Sequence, residues 1–170
     1  MDYIHHYSSP LGGLTLASDG EALVGLWFDG QKHFGSTLHP HHQEKALPVF
    51  EEADRWLDTY FSGEKPDFTP PLLLRGSVFR KTVWKALLTI PYGCTVTYGD
   101  IAKLISVQEG FPPTSARAVG SAVGHNPVSI IIPCHRVIGA GGRLTGYAAG
   151  IETKLHLLKT ESADRDIKQS

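Results

Sequence analysis

The sequence predicts an α/β protein in two parts: an α/β N-terminal domain that opens on strands, and a mainly helical C-terminal domain. Three observations carry this reading. Short apolar runs cut by glycine give way to apolar residues at three- and four-residue spacing. A stretch without period, EKPDFTPPLLLRG at residues 64–76, separates two kinds of sequence and holds three prolines. The charge divides at the same place: residues 1–75 carry 5 basic and 11 acidic side chains, residues 76–170 carry 11 basic and 6 acidic. The domains are therefore placed at 1–75 and 76–170, and the basic second part is the one suited to attract phosphates.

In the first part, LGGLTLASDG (11–20), EALVGLWFDG (21–30) and QKHF (31–34) read as strands punctuated by turns at Asp19-Gly20 and Asp29-Gly30. In PVFEEADRWLDTYFSGE, Phe50, Ala53, Trp56, Leu57 and Tyr60 mark one face of an amphipathic helix that Gly63 ends. Residues 64–76 read as a crossover or linker.

The second part opens with SVFRKTVWKALLTI, where Val78, Phe79, Val83, Trp84, Leu87 and Leu88 are expected to face inward; PYGC breaks it. Thr97 is a plausible N-cap for YGDIAKLIS, with Asp100 as a weak capping-box partner. VQEGFPP is a loop, and Thr114 or Ser115 caps ARAVGSAVGHN. Two short helices in this order suggest a helix-turn-helix, although the connection exceeds the usual three or four residues. Ala116, Ala118, Gly120, Ala122 and Gly124 leave the second helix nearly without bulk, so it can approach a neighbour or a ligand closely. IETKLHLLKTE is a final helix expected to bury Ile151, Leu155 and Leu158, and SADRDIKQS a frayed tail.

The composition, 170 residues with 41% apolar side chains and a net charge of -1, is that of an ordinary globular protein. No apolar run approaches the roughly 20 residues that span a bilayer, and MDYIHHYSSP has no secretory-signal pattern; a cytoplasmic location, as in a prokaryote, is an expectation of the resemblance described below. Cys94 and Cys134 are the two cysteines. They fit a reducing compartment, and a single disulfide between them stays open. Cys134 lies in IIPCHRVIG, between a proline and His135-Arg136. Its local chemistry allows a buried thiol, a metal ligand or a nucleophile whose pKa nearby cations lower. No C-x₂-C or H-x₃₋₅-H companion stands near it, and the glycine-rich GAGG that follows lacks dinucleotide or P-loop spacing.

Four segments together settle the choice by likeness. NPVSIIIPCHRVIG, FRKTVWKALLTIPYGCTVTYGDIA, SARAVGSAVGHNP and LTGYAAG resemble, in order, the segments of the O6-alkylguanine-DNA alkyltransferases, over roughly residues 3–161 and most strongly from 76 onward. The resemblance implies a ribonuclease-H-like N-terminal domain and a C-terminal domain with a helix-turn-helix, winged-helix-like DNA-binding unit. It implies direct-reversal DNA repair: irreversible, stoichiometric transfer of an alkyl group from guanine O6, and from O4-alkylthymine, to Cys134. The alternative it carries is a lesion-binding relative without transfer activity, against which the intact cysteine argues. Carried over by position, His135 is the base acting through a water, Glu161 orients it, and Tyr98 assists the leaving guanine. Asn126 holds the turn before the cysteine segment. Arg117 fills the space of a flipped nucleotide, with Thr97, Tyr98, Ala118, Ala122 and Gly124 facing the minor groove. Pro133, Val137, Tyr147 and Ala148 line the base pocket, where the carbonyls of Cys134 and Val137 accept from the guanine amine. Ala148 and Ala149 stand where some relatives have serine and glycine. Arg136 is expected to be structural or phosphate-facing and Cys94 a packed thiol. No cofactor, metal or membrane is implied; the partner is double-stranded DNA, bound by a monomer.

Overall fold

The computed structural model describes residues 1–164 and Ile167. The chain divides into two units, Met1–Arg75 with Pro127–Ser129, and Gly76–Asn126 with Ile130–Ser170.

The first unit is a four-stranded sheet with a helix against it. Its strands are β1 (Asp2–Ser9), β2 (Gly12–Ser18), β3 (Leu23–Phe28) and β4 (His42–Glu44), in the spatial order β3-β2-β1-β4. β1 was absent from the sequence-based expectation. It pairs antiparallel with β2, Tyr3 opposite Ser18 and Ser9 opposite Gly12, and parallel with β4. Its alternation is carried by His and Tyr instead of aliphatic residues, which hides it. His5 stacks on Phe50 at 5.1 Å and places Nε2 2.9 Å from Asp54, while Tyr7 donates to Asp58 at 2.5 Å. These partners lie on α1 (Pro48–Phe61), whose buried face is Val49, Phe50, Ala53, Trp56, Leu57 and Tyr60. Gly63, at φ +89°, ends the helix as expected and donates its N–H to Tyr60 O.

β3 is buried along its whole length. Trp27 lies flat over Gly25, where a Cβ would come within 2.0 Å of the indole, so only glycine fits there. The linker supplies part of the sheet's edge: Leu23 N–H donates to Pro71 O at 2.8 Å and Leu73 N–H to Leu23 O at 2.9 Å. Residues 127–129 supply another part, through Leu26 N–H to Pro127 O and Ser129 N–H to Leu26 O, both 2.8 Å. The edge strand's exposed hydrogen-bonding groups are thus covered. QKHF is a run of turns and not a strand. Gln31 folds back so that its Oε1 accepts from Phe28 N–H, and His33 and Gly35 adopt positive φ.

In the second unit, α2 (Val78–Leu87) is capped by Ser77, whose Oγ accepts from Arg80 N–H. Val83, Trp84, Ala86 and Leu87 are its buried face; Val78 is 70% exposed and Leu88 39%, against expectation, because each sits at a helix end beyond the packed turns. β5 (Val96–Thr97) pairs in parallel with β6 (Val137–Ile138). Thr97 then caps α3 (Tyr98–Gln108) in a complete capping box with Asp100: the shorter acid reaches back to the Thr97 N–H at 2.9 Å. Ser115, not Thr114, caps α4 (Ala116–Gly124), and α2, α3 and α4 pack on one another in a helix-turn-helix-like arrangement. α5 (Ile151–Thr160) buries Leu158 as expected, but its inward face is otherwise different, with Leu155 only half-buried. It buries Lys154, Leu157 and Leu158 and leaves Ile151 51% exposed. The start of the expected frayed tail is instead a tight stop. Ser162 adopts φ +57°, Ala163 N–H donates to Leu158 O, and Ala163 is buried. Residues 165, 166 and 168–170 lie outside the described residues.

Asp2 is buried and bound bidentately by Arg75, at 2.7 and 3.1 Å, and by the His39 N–H. Burial alone would raise its pKa, but these donors together hold it below the ordinary carboxylate value. Arg75→Met is expected to lower stability by about 1.5–3 kcal/mol, because a buried carboxylate loses its charged donor. A lower urea midpoint at unchanged slope checks this.

Candidate active site

Cys134 opens a short 3₁₀ turn, Cys134–Arg136, held by its N–H on Ile132 O at 2.8 Å. The approach to it is unusual. Ile130 is fully buried at φ +70°, a left-handed conformation that a β-branched residue rarely adopts. Asn126 closes this turn: its Nδ2 donates to Ile132 O at 2.8 Å across six residues. Strain of this kind persists only where surroundings over-determine it, and here the asparagine bond and the burial of residues 130–132 do so.

The thiol is enclosed. Burial raises its pKa; hydrogen bonds from Asn126 and Tyr147 and the charge of Lys154 oppose the rise without cancelling it. The resting group is therefore a thiol that becomes a thiolate only when its proton is taken. Both cysteines are free, so the disulfide does not form. Cys94 is exposed, not packed, because it sits on the turn after α2 with its N–H on Pro91 O.

His135 is fully buried, and its Nε2 lies 2.5 Å from Glu161 Oε2. The other carboxylate oxygen accepts from Arg136 Nε at 2.7 Å and from Gly93 N–H at 3.1 Å. Gly93 has φ +79°, which aims that N–H at the carboxylate, and a Cβ there would press on Glu161 O at 3.3 Å. Burial pushes the Glu161 carboxyl up, but the His135 hydrogen bond and the Arg136 guanidinium outweigh it and take it down to about 2. Burial lowers the His135 pKa, more than Glu161 raises it. The consistent state is an ionised Glu161 beside a neutral imidazole, with Arg136 as the permanent counter-charge. A neutral ring must then carry its proton on Nε2, facing the carboxylate, and keep the Nδ1 lone pair as its basic site. Arg136 also donates to Ile90 O at 2.7 Å and lies over the Tyr92 ring. It is structural, and buried instead of facing phosphate.

Tyr98, the first residue of α3, is half-buried beside the thiol, with its ring against Gly120 of α4. Its hydroxyl shares a 2.7 Å hydrogen bond with Thr145 Oγ1. Burial raises its pKa, the Thr145 bond opposes this, and charge on Cys134 adds to the rise. Tyr147, Pro133, Val137 and Ala148 all fall on the segment 133–148 that follows or carries the cysteine. Val137 N–H donates to Cys134 O, leaving that carbonyl a second lone pair.

The residues expected to face a ligand on α4 divide. Arg117 and Gly124 are exposed and Ala118 is half-exposed, as is Thr97. Ala122 is buried, and its carbonyl accepts from Trp84 Nε1 at 2.8 Å, so its small side chain serves packing inside the unit. One residue was missed in the sequence. Lys154 is 1% exposed and donates from Nζ to Thr145 Oγ1 at 3.0 Å. The available signal was spacing: Lys154, Leu157, Leu158 and Glu161 fall at i, i+3, i+4 and i+7, one face of a helix. Among the described residues no group of three His, Cys, Asp or Glu side chains converges that could hold a metal.

The buried thiol thus stands next in the chain to a buried histidine that is hydrogen-bonded to a buried carboxylate, the residue types of a nucleophile–base–orienter arrangement. Residues 3–74 match the ribonuclease-like domain of the 6-O-methylguanine DNA methyltransferases, and residues 78–163 match their DNA binding domain. The methylated-DNA–protein-cysteine methyltransferase of Mycobacterium tuberculosis H37Rv is 48% identical over 161 residues, 93% of each chain. That of Methanosarcina acetivorans is 45% identical over 162 residues, 95% of this chain and 99% of its own. The crystal structure of Mycobacterium tuberculosis OGT in complex with DNA superposes with a TM-score of 0.83 at 46% identity, covering 95% of this chain and 94% of that one. The chain belongs to the 6-O-methylguanine DNA methyltransferase family.

Glu161→Gln is expected to lower stability near neutral pH by about 3–5 kcal/mol, because Arg136 stays buried without its counter-charge. In the native protein the stability that Glu161 contributes is complete above its ordinary value of 4.5 and is lost as pH falls toward about 2. Unfolding measured across that range is expected to show this acid dependence in the native protein and a flatter one in the variant.

Proposed function

We propose that this protein repairs DNA by direct reversal, accepting the alkyl group of O6-alkylguanine onto Cys134 Sγ once per molecule. It acts as a methylated-DNA–[protein]-cysteine S-methyltransferase that consumes itself. The observation that carries the reading is the enclosed thiol with its neutral His135, which Glu161 holds in the tautomer that can accept a proton. The Nδ1 lone pair of His135 takes the thiol proton through a water. The thiolate, desolvated by the pocket and hydrogen-bonded by Asn126 and Tyr147, attacks the alkyl carbon in line with the breaking C–O6 bond. The thioether that results has no leaving group of comparable ease, so the step is not reversed.

The partner is DNA, as the family assignment and the basic second part support. Guanine O6 is closed to in-line attack within the stack, so the nucleotide must leave it. Arg117, near the start of the small-residue helix α4, takes the vacated position, and Thr97, Ala118 and Gly124 meet the minor groove; the exposure of Arg117 and Gly124 supports this. The carbonyls of Cys134 and Val137 receive the guanine amine, and Tyr98 donates to the departing base. O4-alkylthymine is the second substrate. The protein works as a monomer in the cytoplasm.

Incubation with duplex DNA bearing O6-methylguanine is expected to add one methyl group, on Cys134, as read by intact-protein and peptide mass spectrometry. Cys134→Ala is expected to gain none; an unmodified native protein in the reduced state would sink the reading. Arg117→Ala is expected to slow transfer from duplex DNA by roughly 10- to 100-fold, the scale of a few kcal/mol of unstacking. Transfer from the free base O6-methylguanine, assayed in parallel, is expected to change little.

A further inference from the structure

One buried cation has no part in the chemistry above. Lys154 is 1% exposed, and among the described residues no carboxylate lies within ion-pair reach of its ammonium. An amine this deep is costly unless it is used or paired. Its Nζ donates to Thr145 Oγ1 at 3.0 Å, and Thr145 Oγ1 is 2.7 Å from Tyr98 Oη. An ammonium has donors and no acceptor, so Lys154 is the donor at the head of this chain. The Thr145 oxygen accepts from Lys154, and its own hydroxyl hydrogen points to Tyr98, the direction in which the Thr145 bond pulls the Tyr98 pKa down. The Tyr98 hydroxyl hydrogen is in turn left for whatever lies beyond it.

We propose that Lys154 and Thr145 form a proton relay that resupplies Tyr98 while the base departs, making both positioning residues for the alkyl transfer. The inference rests on the transfer reading above. The Cys134 Sγ–carbon bond forms as the carbon–O6 bond breaks, and the electron pair stays on guanine. Guanine takes the Tyr98 hydroxyl proton, Tyr98 takes that of Thr145, and Thr145 takes one from Lys154, which ends as a neutral amine. The thiol proton rests on His135 throughout.

The charges make the two events concerted. Cys134 and Lys154 are close enough that each favours the ionised form of the other. Burial lowers the lysine to about 8, and charge on Cys134 opposes that fall. When the thiolate becomes a thioether this support disappears, and the ammonium gives up its proton at the moment the base needs one. Two buried charges are removed together, which relieves the desolvation of both. The titratable and charged groups facing the relay are Cys134 and His135 from the 3₁₀ turn, Tyr98 from α3 and Tyr147 from the following loop.

The test is single-turnover transfer from duplex O6-methylguanine between about pH 6 and about pH 9.5, a range that brackets the lysine value of about 8. Native protein, Thr145→Val, Thr145→Ser and Lys154→Met are compared. Methylation of Cys134 by methyl iodide, whose leaving group needs no proton, is measured beside it. Thr145→Val and Lys154→Met are expected to slow transfer from DNA on the order of 100-fold. Thr145→Ser, which keeps the hydroxyl, restores it. The native rate is expected to fall as pH rises through the lysine's titration, and this limb is lost in Thr145→Val. Methyl iodide reactivity of Thr145→Val stays within a few-fold of native, which also reports a folded site. Equal rates for Thr145→Val and native protein on DNA overturn the relay. So does an equal loss toward methyl iodide, which would place Thr145 on the thiolate instead. Absence of transfer by native protein overturns the parent reading, a result separable from either.

Discussion

The buried carboxylate of Glu161 is the interaction on which the second unit's chemistry depends. It sits just past the last turn of α5 and receives three groups from two other places: His135 and Arg136 from the 3₁₀ turn, and the Gly93 N–H from the turn after α2. A charge in such a place is tolerated only when paired and saturated with donors. Each donor is accordingly specified. Arg136 supplies charge that does not titrate, Gly93 supplies an N–H that a left-handed backbone aims, and His135 supplies the proton that fixes its own tautomer. One carboxylate therefore closes the packing of three segments and sets the histidine's basic face. Because structure and reactivity share this group, neither can be altered alone.

The nucleophile is controlled by the opposite means. Cys134 is kept protonated by burial, and the groups that would favour the thiolate, Asn126, Tyr147 and Lys154, fall short of reversing this. A protonated, enclosed thiol is a poor target for oxidants, which react with thiolate. That suits a group spent once. The left-handed Ile130 and its closure by Asn126 set the turn that points the thiol inward. Strain and hydrogen bonding thus place the sulfur, while the carboxylate network places the base.

Much of this was legible in the chain. The helices, their caps and the division near residue 75 follow from periodicity, proline and charge. The site residues were legible through the likeness of four segments, because the cysteine's own neighbours left three chemistries open. Other features were hidden for specific reasons. β1 is written in His and Tyr, whose rings cover α1 by stacking instead of aliphatic burial. QKHF has the composition of a strand but is folded by the Gln31 side chain into turns. On α5 the expected Leu158 is buried, but Lys154 and Leu157 join it in place of Ile151, because leucine spacing carries no signal for a buried lysine.

The sequence by itself determined the helices, the capping threonine of α3 and, through residue order, the identity of the nucleophile, since these depend on neighbours within a helical turn or on the succession of segments. Only the tertiary structure decided which charges are buried and what they meet. Without the family likeness Glu161 looks like a solvated charge at a helix end, and Lys154 looks like a surface lysine and Thr145 like a loop residue. Their partners lie up to 68 residues away in the chain, as Gly93 does from Glu161. Burial changes the cost of a charge by more than any local propensity can, and burial is a property of the folded chain alone.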